Sequence, residues 1–259
     1  MQIREVGVVL RNLLFGANLD SMLGVANPRQ AYYYVAESRF LYKCLFPKKG
    51  LPEKRVWEMM GADRVPVVLS TRSANHWFHS VPSYAADLVS MCMLCQLAKP
   101  KVILEIGTLY GSGALHWALN APEAEVYTLD LPPKTAPSLA TTHVDRDEVG
   151  RHASGRPMEF EGMPEAKRIH CLYGDSATYD FSRFSGQVDL LFIDGAHSYQ
   201  YVRNDTLRTL PCCKPGSVIA WHDYGRVGFN GVSKWLHEFS KQGRAIYRIP
   251  GGSLAYTKV

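Results

Sequence analysis

The stretch K-V-I-L-E-I-G-T-L-Y-G-S-G, residues 101–113, decides the fold. A Val/Ile/Leu run leads into Glu105 and then into glycines at 107, 111 and 113, after which residues 114–119 resume an apolar, helix-compatible pattern. Such a run ending in glycines is typical of a buried parallel strand that turns sharply into a helix. Glycine lacks a Cβ, so its backbone can adopt positive φ and let a ligand approach closely. The stretch therefore predicts a nucleotide-type cradle, although a turn that merely packs the helix on the sheet would show the same pattern.

The spacing of these glycines distinguishes between kinds of nucleotide. A dinucleotide fingerprint reads G-x-G-x-x-G and holds a pyrophosphate at the helix N-terminus. Here the order is E-x-G-x-x-x-G-x-G, which resembles the first motif of class I S-adenosylmethionine (SAM) methyltransferases. A carboxylate in this loop would repel a pyrophosphate, but it suits the sulfonium and ammonium groups of SAM. The resemblance implies SAM as cofactor, with candidate cofactor-binding residues Glu105, Gly107, Thr108, Gly111 and Gly113.

Composition and charge are those of an ordinary globular protein. Of the 259 residues 46% are apolar and 20% charged, and the net charge is +5 without a dense Lys/Arg stripe, so nucleic acid is not expected as a partner. The six cysteines are spaced neither as a disulfide framework nor as a complete zinc site. The N-terminus lacks a signal-peptide pattern and no apolar run would span a bilayer, so we expect a cytoplasmic protein without membrane contact.

Strand and helix patterns alternate from residue 101 onward. Strands are predicted at 101–106, 125–129, 168–172, 188–193 and 215–220, with helices after most of them, which is typical of a parallel, doubly wound sheet. Residues 245–249 and 253–257 flank Pro-Gly-Gly and predict a terminal antiparallel pair. The prediction is therefore an α/β, Rossmann-like doubly wound sheet of seven strands with a C-terminal antiparallel hairpin. Class I methyltransferases have this hairpin, whereas ordinary dehydrogenase domains lack it.

The segments before and within this alternation are predicted to form the part of the site that binds the methyl acceptor. Residues 1–80 predict a mostly helical extension, with helices near 29–45 and 53–61, that caps the core or forms a homo-oligomer contact; residues 81–259 form the methyltransferase domain, which opens with a helix at 83–97. The long proline-containing stretch 131–167 is interpreted as a lid over the ligand, or else as a solvated insertion. The run His76-Trp77-Phe78-His79 either lines a substrate pocket or packs between extension and core.

Acidic residues at the ends of the second and third strands are candidate nucleotide ligands. Asp130 lies 23 residues beyond Gly107, where an acidic side chain can accept both ribose hydroxyls. Asp175 and Ser176 follow the third strand, and in class I methyltransferases an acidic residue at this position contacts the adenine amino group. The competing interpretation is that both aspartates are ordinary turn residues.

A second group of polar residues follows the fourth and fifth strands. Asp194 ends the fourth strand, His197 lies three residues on, and His222-Asp223 end the fifth. Active sites of open α/β sheets lie at the carboxyl ends of strands, and neighbouring strands are about 5 Å apart. If the two strands are neighbours, Asp194, His222 and Asp223 converge near the sulfonium.

The segments I-D-G-A-H-S-Y (193–199) and K-P-G-S-V-I-A-W-H-D-Y (214–224) make the resemblance more specific. They are similar to small-molecule methyltransferases of the macrocin type, which act on macrolide sugars. The resemblance implies Asp194 and the 222–223 pair as ligands of magnesium, and His197 as the general base. The chain departs from the family at His222, where the sugar enzymes have a carboxylate. That leaves three alternatives: His222 beside the ligands, His222 as a ligand of manganese or iron, or acid–base chemistry without metal.

The sequence therefore predicts a SAM-dependent O-methyltransferase that acts on a hydroxyl of a small molecule, such as a sugar or a glycosylated natural product. Asp194 and His197 are its candidate catalytic residues, and a divalent metal, Mg²⁺ or Mn²⁺, would lower the pKa of the hydroxyl. Alternatives are a metal-independent N- or O-methyltransferase and a SAM-binding module without turnover. An NAD-dependent oxidoreductase is disfavoured by the glycine spacing.

Overall fold

The computed structural model of the protein describes residues 50–73, 82–142, 145, 157–226 and 229–259. Gly50–Val259 form one compact unit. The predictions for residues 1–49 and for the run His76-Trp77-Phe78-His79 lie outside the described residues, as do 143–144 and 146–156 of the expected lid.

Seven strands of the described chain form one sheet, in the order β3-β2-β1-β4-β5-β7-β6. Strands β1 to β5 are parallel, and β7 pairs antiparallel with both β5 and β6. This confirms the predicted seven-stranded α/β fold and its terminal antiparallel pair. The strand order reverses between β1 and β4, which is where ligands bind in doubly wound sheets. The bounds are Val102–Ile106 (β1), Glu125–Asp130 (β2), Ile169–Tyr173 (β3), Val188–Ile193 (β4), Cys213–Trp221 (β5), Tyr247–Arg248 (β6) and Ala255–Lys258 (β7).

Five α-helices occur in the described residues: Val56–Met60 (α1), Pro82–Ala98 (α2), Ser112–Asn120 (α3), Tyr199–Thr209 (α4) and Asn230–Ser240 (α5). Short 3₁₀ turns span Thr71–Ser73, Pro164–Arg168, Ser182–Phe184 and Leu210–Cys212. Helix α2 agrees with the predicted 83–97, but α1 is shorter than the predicted 53–61. The reason is that residues 52–54 are extended and bond to the Arg248 backbone, so the helix begins only after Arg55, whose N–H bonds to Glu58.

Apolar layers cover both faces of the sheet. Helices α2 and α3 pack on one face, in the apolar layer that contains Trp117 and Ile103, and α4 and α5 pack on the other, in the layer that contains Trp235 and Leu104. Successive side chains of a strand point to opposite faces, so Ile103 belongs to the first layer and Leu104 to the second. Among the helices of the described chain, none is both long and apolar enough to cross a membrane.

Strand register places the carboxyl ends of the central strands side by side. Ile106 lies between Leu129 of β2 and Ile193 of β4, and Ile193 lies beside Trp221 of β5. The residue after each strand therefore reaches the same edge of the sheet. This edge receives Gly107, Asp130, Asp194 and His222, and it holds the candidate site.

Candidate active site

A cavity opens at the carboxyl ends of β1 to β4. Its walls include five of the predicted cofactor-binding residues: Gly107, Asp130, Asp175, Ser176 and Asp194. Its cover comes from the segment interpreted as a lid, through Leu131, Pro133, Pro137, Thr141 and Asp145. Leu109, Gly195 and Tyr201 complete the rim. These five residues of the first part of segment 131–167 therefore lie at the crevice where the strand order reverses.

Gly107 and Gly111 shape the turn from β1 to α3. Both have positive φ, 103° at Gly107 and 78° at Gly111, a region that L side chains rarely adopt. A Cβ on Gly107 would also collide with the backbone of Asp194, and a Cβ on Gly111 would collide with the Phe160 ring. These glycines are needed for the backbone path and for close packing of neighbouring chain segments.

Glu105 does not line the cavity. Its carboxyl group lies on the α3 side of the sheet, where it accepts hydrogen bonds from Trp117 Nε1 (2.9 Å) and Thr128 Oγ1 (2.6 Å). Gly113 leaves room for that carboxyl group, and Thr108 is buried against Thr128. Burial raises the pKa of Glu105 to about 8 despite these two hydrogen bonds. The structure therefore places Glu105, Thr108 and Gly113 beneath the turn, and Glu105 is largely uncharged at neutral pH.

Glu105→Gln should flatten the pH dependence of stability. Because the folded-state pKa, about 8, exceeds the ordinary value of 4.5, the folded protein holds a proton that the unfolded chain loses between these values. The wild-type free energy of unfolding should therefore fall from pH 4.5 to 8 by an amount on the order of a few kcal/mol, relative to the glutamine variant. Denaturant unfolding of both proteins at pH 5, 6.5 and 8 measures this. Parallel profiles for the two proteins would contradict the buried neutral carboxyl group.

Asp130 holds the rim of the turn. Its carboxylate accepts the N–H of Leu109 at 2.7 Å and that of Leu131 at 2.8 Å, which joins the glycine turn to the start of the lid segment. The side chain lies at the cavity wall at the end of β2, as the sequence predicts for a ribose-binding acid.

Asp175 and Ser176 form the opposite end of the cavity. Asp175 accepts hydrogen bonds from Tyr201 Oη at 3.0 Å and from the N–H groups of Ser138 (2.6 Å) and Ala177 (2.9 Å). Burial opposes its ionisation, but these hydrogen bonds lower the pKa of the Asp175 carboxyl group below its ordinary value. Tyr201, which is buried, orients this carboxylate.

The residues after β4 and β5 converge, as their strand positions predict. Asp223 Oδ2 lies 3.0 Å from His197 Nε2, and Asp194 Oδ1 lies 3.1 Å from His222 Nδ1. Ligand atoms of Asp194, His197 and Asp223 all lie within 4.8 Å of one another. His222 falls outside that group, although its Nδ1 is 3.6 Å from Asp223 Oδ1. Both histidines and Asp223 are buried, whereas about a quarter of the Asp194 side chain (26%) is exposed, toward the cavity.

Three charged residues missed by the sequence analysis surround this cluster. Asp145 accepts both the backbone N–H (3.0 Å) and Nδ1–H (2.6 Å) of His197. Asp87 of α2 lies 3.2 Å from His222 Nε2, and Arg226 Nε lies 3.2 Å from Asp223 Oδ1. Of these three residues, only Asp87 could have been noticed in the sequence, because it is an acid in an otherwise apolar helix.

Charge pairing dominates the electrostatics of the cluster. Burial opposes protonation of His222, but Asp194 and Asp223 raise its pKa well above 6.5. Burial likewise opposes ionisation of Asp145, yet the hydrogen bond and charge of His197 lower the pKa of Asp145 to about 2. The pKa of Asp223 is lowered against burial by His222 and Arg226. Asp145 and Asp223 are therefore ionised at neutral pH.

Comparison with known proteins agrees with this architecture. Residues 104–224 match a family described as "Methyltransferase domain". A solved structure from Staphylococcus aureus, described as a candidate caffeoyl-CoA O-methyltransferase, is 16% identical, covers 73% of this chain and 93% of its own, and superposes with a TM-score of 0.52. The O-methyltransferase TomG from Streptomyces achromogenes, solved with SAM, is 16% identical over 86% of this chain and 98% of its own, with a TM-score of 0.48.

The family match spans the glycine turn, the cavity walls and the cluster that follows β4 and β5. At these identities the structural likeness shows a shared fold, while the family match carries the activity class. Residues 104–224 therefore match a methyltransferase domain, and this match supports methyl transfer as the activity of the chain.

Proposed function

We propose that the protein is an O-methyltransferase that moves the methyl group of SAM to a hydroxyl of a small molecule, such as a sugar or a glycosylated natural product. The observation that carries the proposal is the buried pairing of Asp194 and Asp223 with His197 and His222, next to a cavity that ends at Asp175. A hydroxyl is a weak nucleophile until it begins to lose its proton, so it needs such groups.

Cavity residues support one orientation of the cofactor. Asp130 would bind the ribose hydroxyls, and Asp175 and Ser176 would bind the adenine, since both sites offer oxygen acceptors along one wall. The sulfonium then faces Asp194, whose backbone touches the Gly107 turn. Methyl transfer is an in-line displacement, so the main task of these residues is alignment of oxygen, methyl and sulfur.

The cluster also fits a divalent cation. Asp194 and Asp223 supply carboxylate oxygens, and Oδ1 of Asp223 is buried without a hydrogen bond of good geometry among the described residues, although Arg226 lies near it. Four carboxyl groups (87, 145, 194 and 223) face one guanidinium and two imidazoles, so acidic groups outnumber basic groups around the cluster. When bound, such an ion lowers the pKa of a coordinated hydroxyl.

His197 is proposed as the general base. Asp145 accepts its Nδ1–H at 2.6 Å, which fixes the ring and directs Nε2 toward Asp194 and Asp223. A base needs an oriented lone pair within hydrogen-bond reach of the proton that it accepts. His197 would accept the acceptor hydroxyl proton at Nε2 as the oxygen attacks the methyl group, while Asp145 stabilises the resulting imidazolium.

Calorimetry with SAM, followed by turnover assays on hydroxylated sugars and glycosides with and without chelator, tests the proposal. We expect SAM binding and chelator-sensitive methyl transfer to oxygen. Turnover that is insensitive to chelator would remove the metal but keep the enzyme. Transfer only to nitrogen would refute the acceptor, and SAM binding without any transfer would favour a module that has lost turnover.

Asp145→Asn should lower kcat by roughly 10²-fold and leave the affinity for S-adenosylhomocysteine nearly unchanged. An asparagine keeps the size of the side chain but removes the charge that stabilises imidazolium at His197. Steady-state kinetics and calorimetry measure the two quantities. Thr142→Ala, which removes only the hydroxyl bonded to the Asp145 backbone, is the matched control and should keep kcat within about threefold. Equal losses in both variants would mean that Asp145 only holds the loop.

We propose that residues 131–167 act as a lid, because residues 131, 133, 137, 141 and 145 of this segment line the cavity, and that residues 1–80 contribute a cap or a homo-oligomer contact.

A further inference from the structure

Asp87 is a fully buried carboxylate whose hydrogen bonds join three distant segments of the chain. Oδ1 accepts the N–H groups of Ser253 (2.7 Å) and Leu254 (3.1 Å), and Oδ2 accepts the Ser253 hydroxyl (2.7 Å) and lies 3.2 Å from His222 Nε2. Burying an ionised carboxylate is costly unless donors surround it, and here each oxygen has two. A Cβ on Gly252 would collide with Oδ1, so the hairpin turn closes tightly on this group.

His222 is held between this buried carboxylate and the cluster. Because Asp87 only accepts hydrogen bonds when ionised, the 3.2 Å contact requires a proton on Nε2 of His222. The other nitrogen, Nδ1, then faces Asp194 Oδ1 at 3.1 Å and Asp223 Oδ1 at 3.6 Å. Tyr84 and Phe192 flank the ring, with centroids 5.6 and 6.3 Å away, and limit its rotation.

This arrangement is the one expected of a histidine that binds a metal. Metal-binding histidines donate their second ring N–H to a carboxylate or carbonyl, which fixes the tautomer and aims the other nitrogen at the ion. Ligands of one divalent ion lie roughly 3 Å apart when each is about 2.1 Å from it, and the separations from Nδ1 to the two carboxylates are close to this value.

We propose that Asp87 is a positioning residue that holds His222 so that Nδ1 serves, together with Asp194 and Asp223, as a ligand of a divalent transition ion. The inference rests on the proposed metal-assisted function. One imidazole nitrogen and two carboxylates suit Mn²⁺ or Fe²⁺, whereas Mg²⁺ prefers oxygen ligands. His197 also points a nitrogen at these carboxylates, so the experiment must separate the two rings.

Pulsed electron paramagnetic resonance of bound Mn²⁺ detects a directly coordinated ¹⁴N without any turnover assay. We expect the full-length protein, saturated with S-adenosylhomocysteine, to bind Mn²⁺ at least roughly tenfold more tightly than Mg²⁺. The ¹⁴N modulation should be present in wild type, persist in His197→Gln and vanish in His222→Gln. Modulation lost in His197→Gln but kept in His222→Gln, or absent from wild type, would overturn the assignment.

Asp87→Asn tests the positioning role, with Ser253→Ala as its matched control. Asp87→Asn replaces the carboxylate that lies 3.2 Å from His222 Nε2, whereas Ser253→Ala keeps that carboxylate and removes only a hydroxyl that donates to it and lies 3.5 Å from the same nitrogen. We expect Mn²⁺ affinity to fall 10- to 100-fold in Asp87→Asn and to stay within about threefold in Ser253→Ala. Equal affinity losses in both variants would reduce Asp87 to a structural residue. If Asp87→Asn does not fold, the histidine variants still decide which nitrogen is a ligand.

Failure of this inference is distinguishable from failure of the proposed function. Mn²⁺ binding without nitrogen coordination, alongside methyl transfer, overturns the role of Asp87 and leaves the methyltransferase in place. Absence of SAM or S-adenosylhomocysteine binding in calorimetry would instead refute the site as a whole.

Discussion

Asp194→Asn should lower kcat by roughly 10³-fold, the largest loss of activity expected for a single substitution here. Asp194 is the cluster member that lines the cavity, and its carboxylate also meets both His222 (3.1 Å) and His197 (4.0 Å). An asparagine has nearly the same shape but no charge. It would therefore bind a cation more weakly than the carboxylate and could not balance positive charge on the two histidine rings. Steady-state kinetics gives kcat, and calorimetry gives the affinity for S-adenosylhomocysteine, which should change less than tenfold.

Asp189→Asn is a matched control at the other end of β4. Asp189 accepts the N–H groups of Lys101 and Val102 and pairs with Lys214 at 2.7 Å, away from the cavity. Its substitution should reduce stability but leave kcat within about twofold. A kcat for Asp194→Asn within tenfold of wild type would mean that the cluster does not act in methyl transfer.

Gly107→Ala should destabilise the fold by about 3 kcal/mol or more and abolish cofactor binding. The φ of 103° is strained for alanine, and the added Cβ would overlap the Asp194 backbone, so β1 and β4 would have to separate where the cavity begins. Denaturant unfolding measures the loss of stability, and calorimetry measures the loss of S-adenosylhomocysteine binding.

Gly186→Ala is the control that separates backbone strain at positive φ from the steric overlap of an added Cβ. Gly186 also has positive φ, 61°, but a Cβ there would meet nothing within 4 Å. It should therefore cost only about 1 kcal/mol, the ordinary cost of a side chain in this region, and keep cofactor binding intact. Similar losses for Gly107→Ala and Gly186→Ala would show that contact with Asp194 is unimportant.

Most of the fold could be predicted from the sequence because strand patterns, glycine turns and the terminal hairpin are local signals. It also placed Asp130, Asp175, Asp194 and Asp223 correctly at strand ends, since parallel strands share an edge. The sequence did not reveal to which face of the sheet the side chain of Glu105 points. Both faces of β1 are apolar, so the pattern did not reveal that its odd-numbered side chains face α3.

The partners of the two histidines could not be found from spacing. Asp145 lies 52 residues before His197, and Asp87 lies 135 residues before His222. Asp87 is the lone acid of α2 and Asp145 is one of several acids in the lid segment, and only the packing of these two segments against the sheet edge brings them to the cluster. Likewise, the shortening of α1 depends on residues 52–54 pairing with the distant Arg248 backbone.

The position of β7 has a consequence for biosynthesis. This strand follows the other six along the chain, yet it lies between β5 and β6 in the sheet, and Ala255 pairs with both Trp221 and Arg248. Until it emerges from the ribosome, the nascent chain presents β5 as an open edge with unpaired backbone groups. The seven-stranded sheet is therefore completed only after its other six strands have been synthesised, and until then β5 is an edge to which another strand could pair.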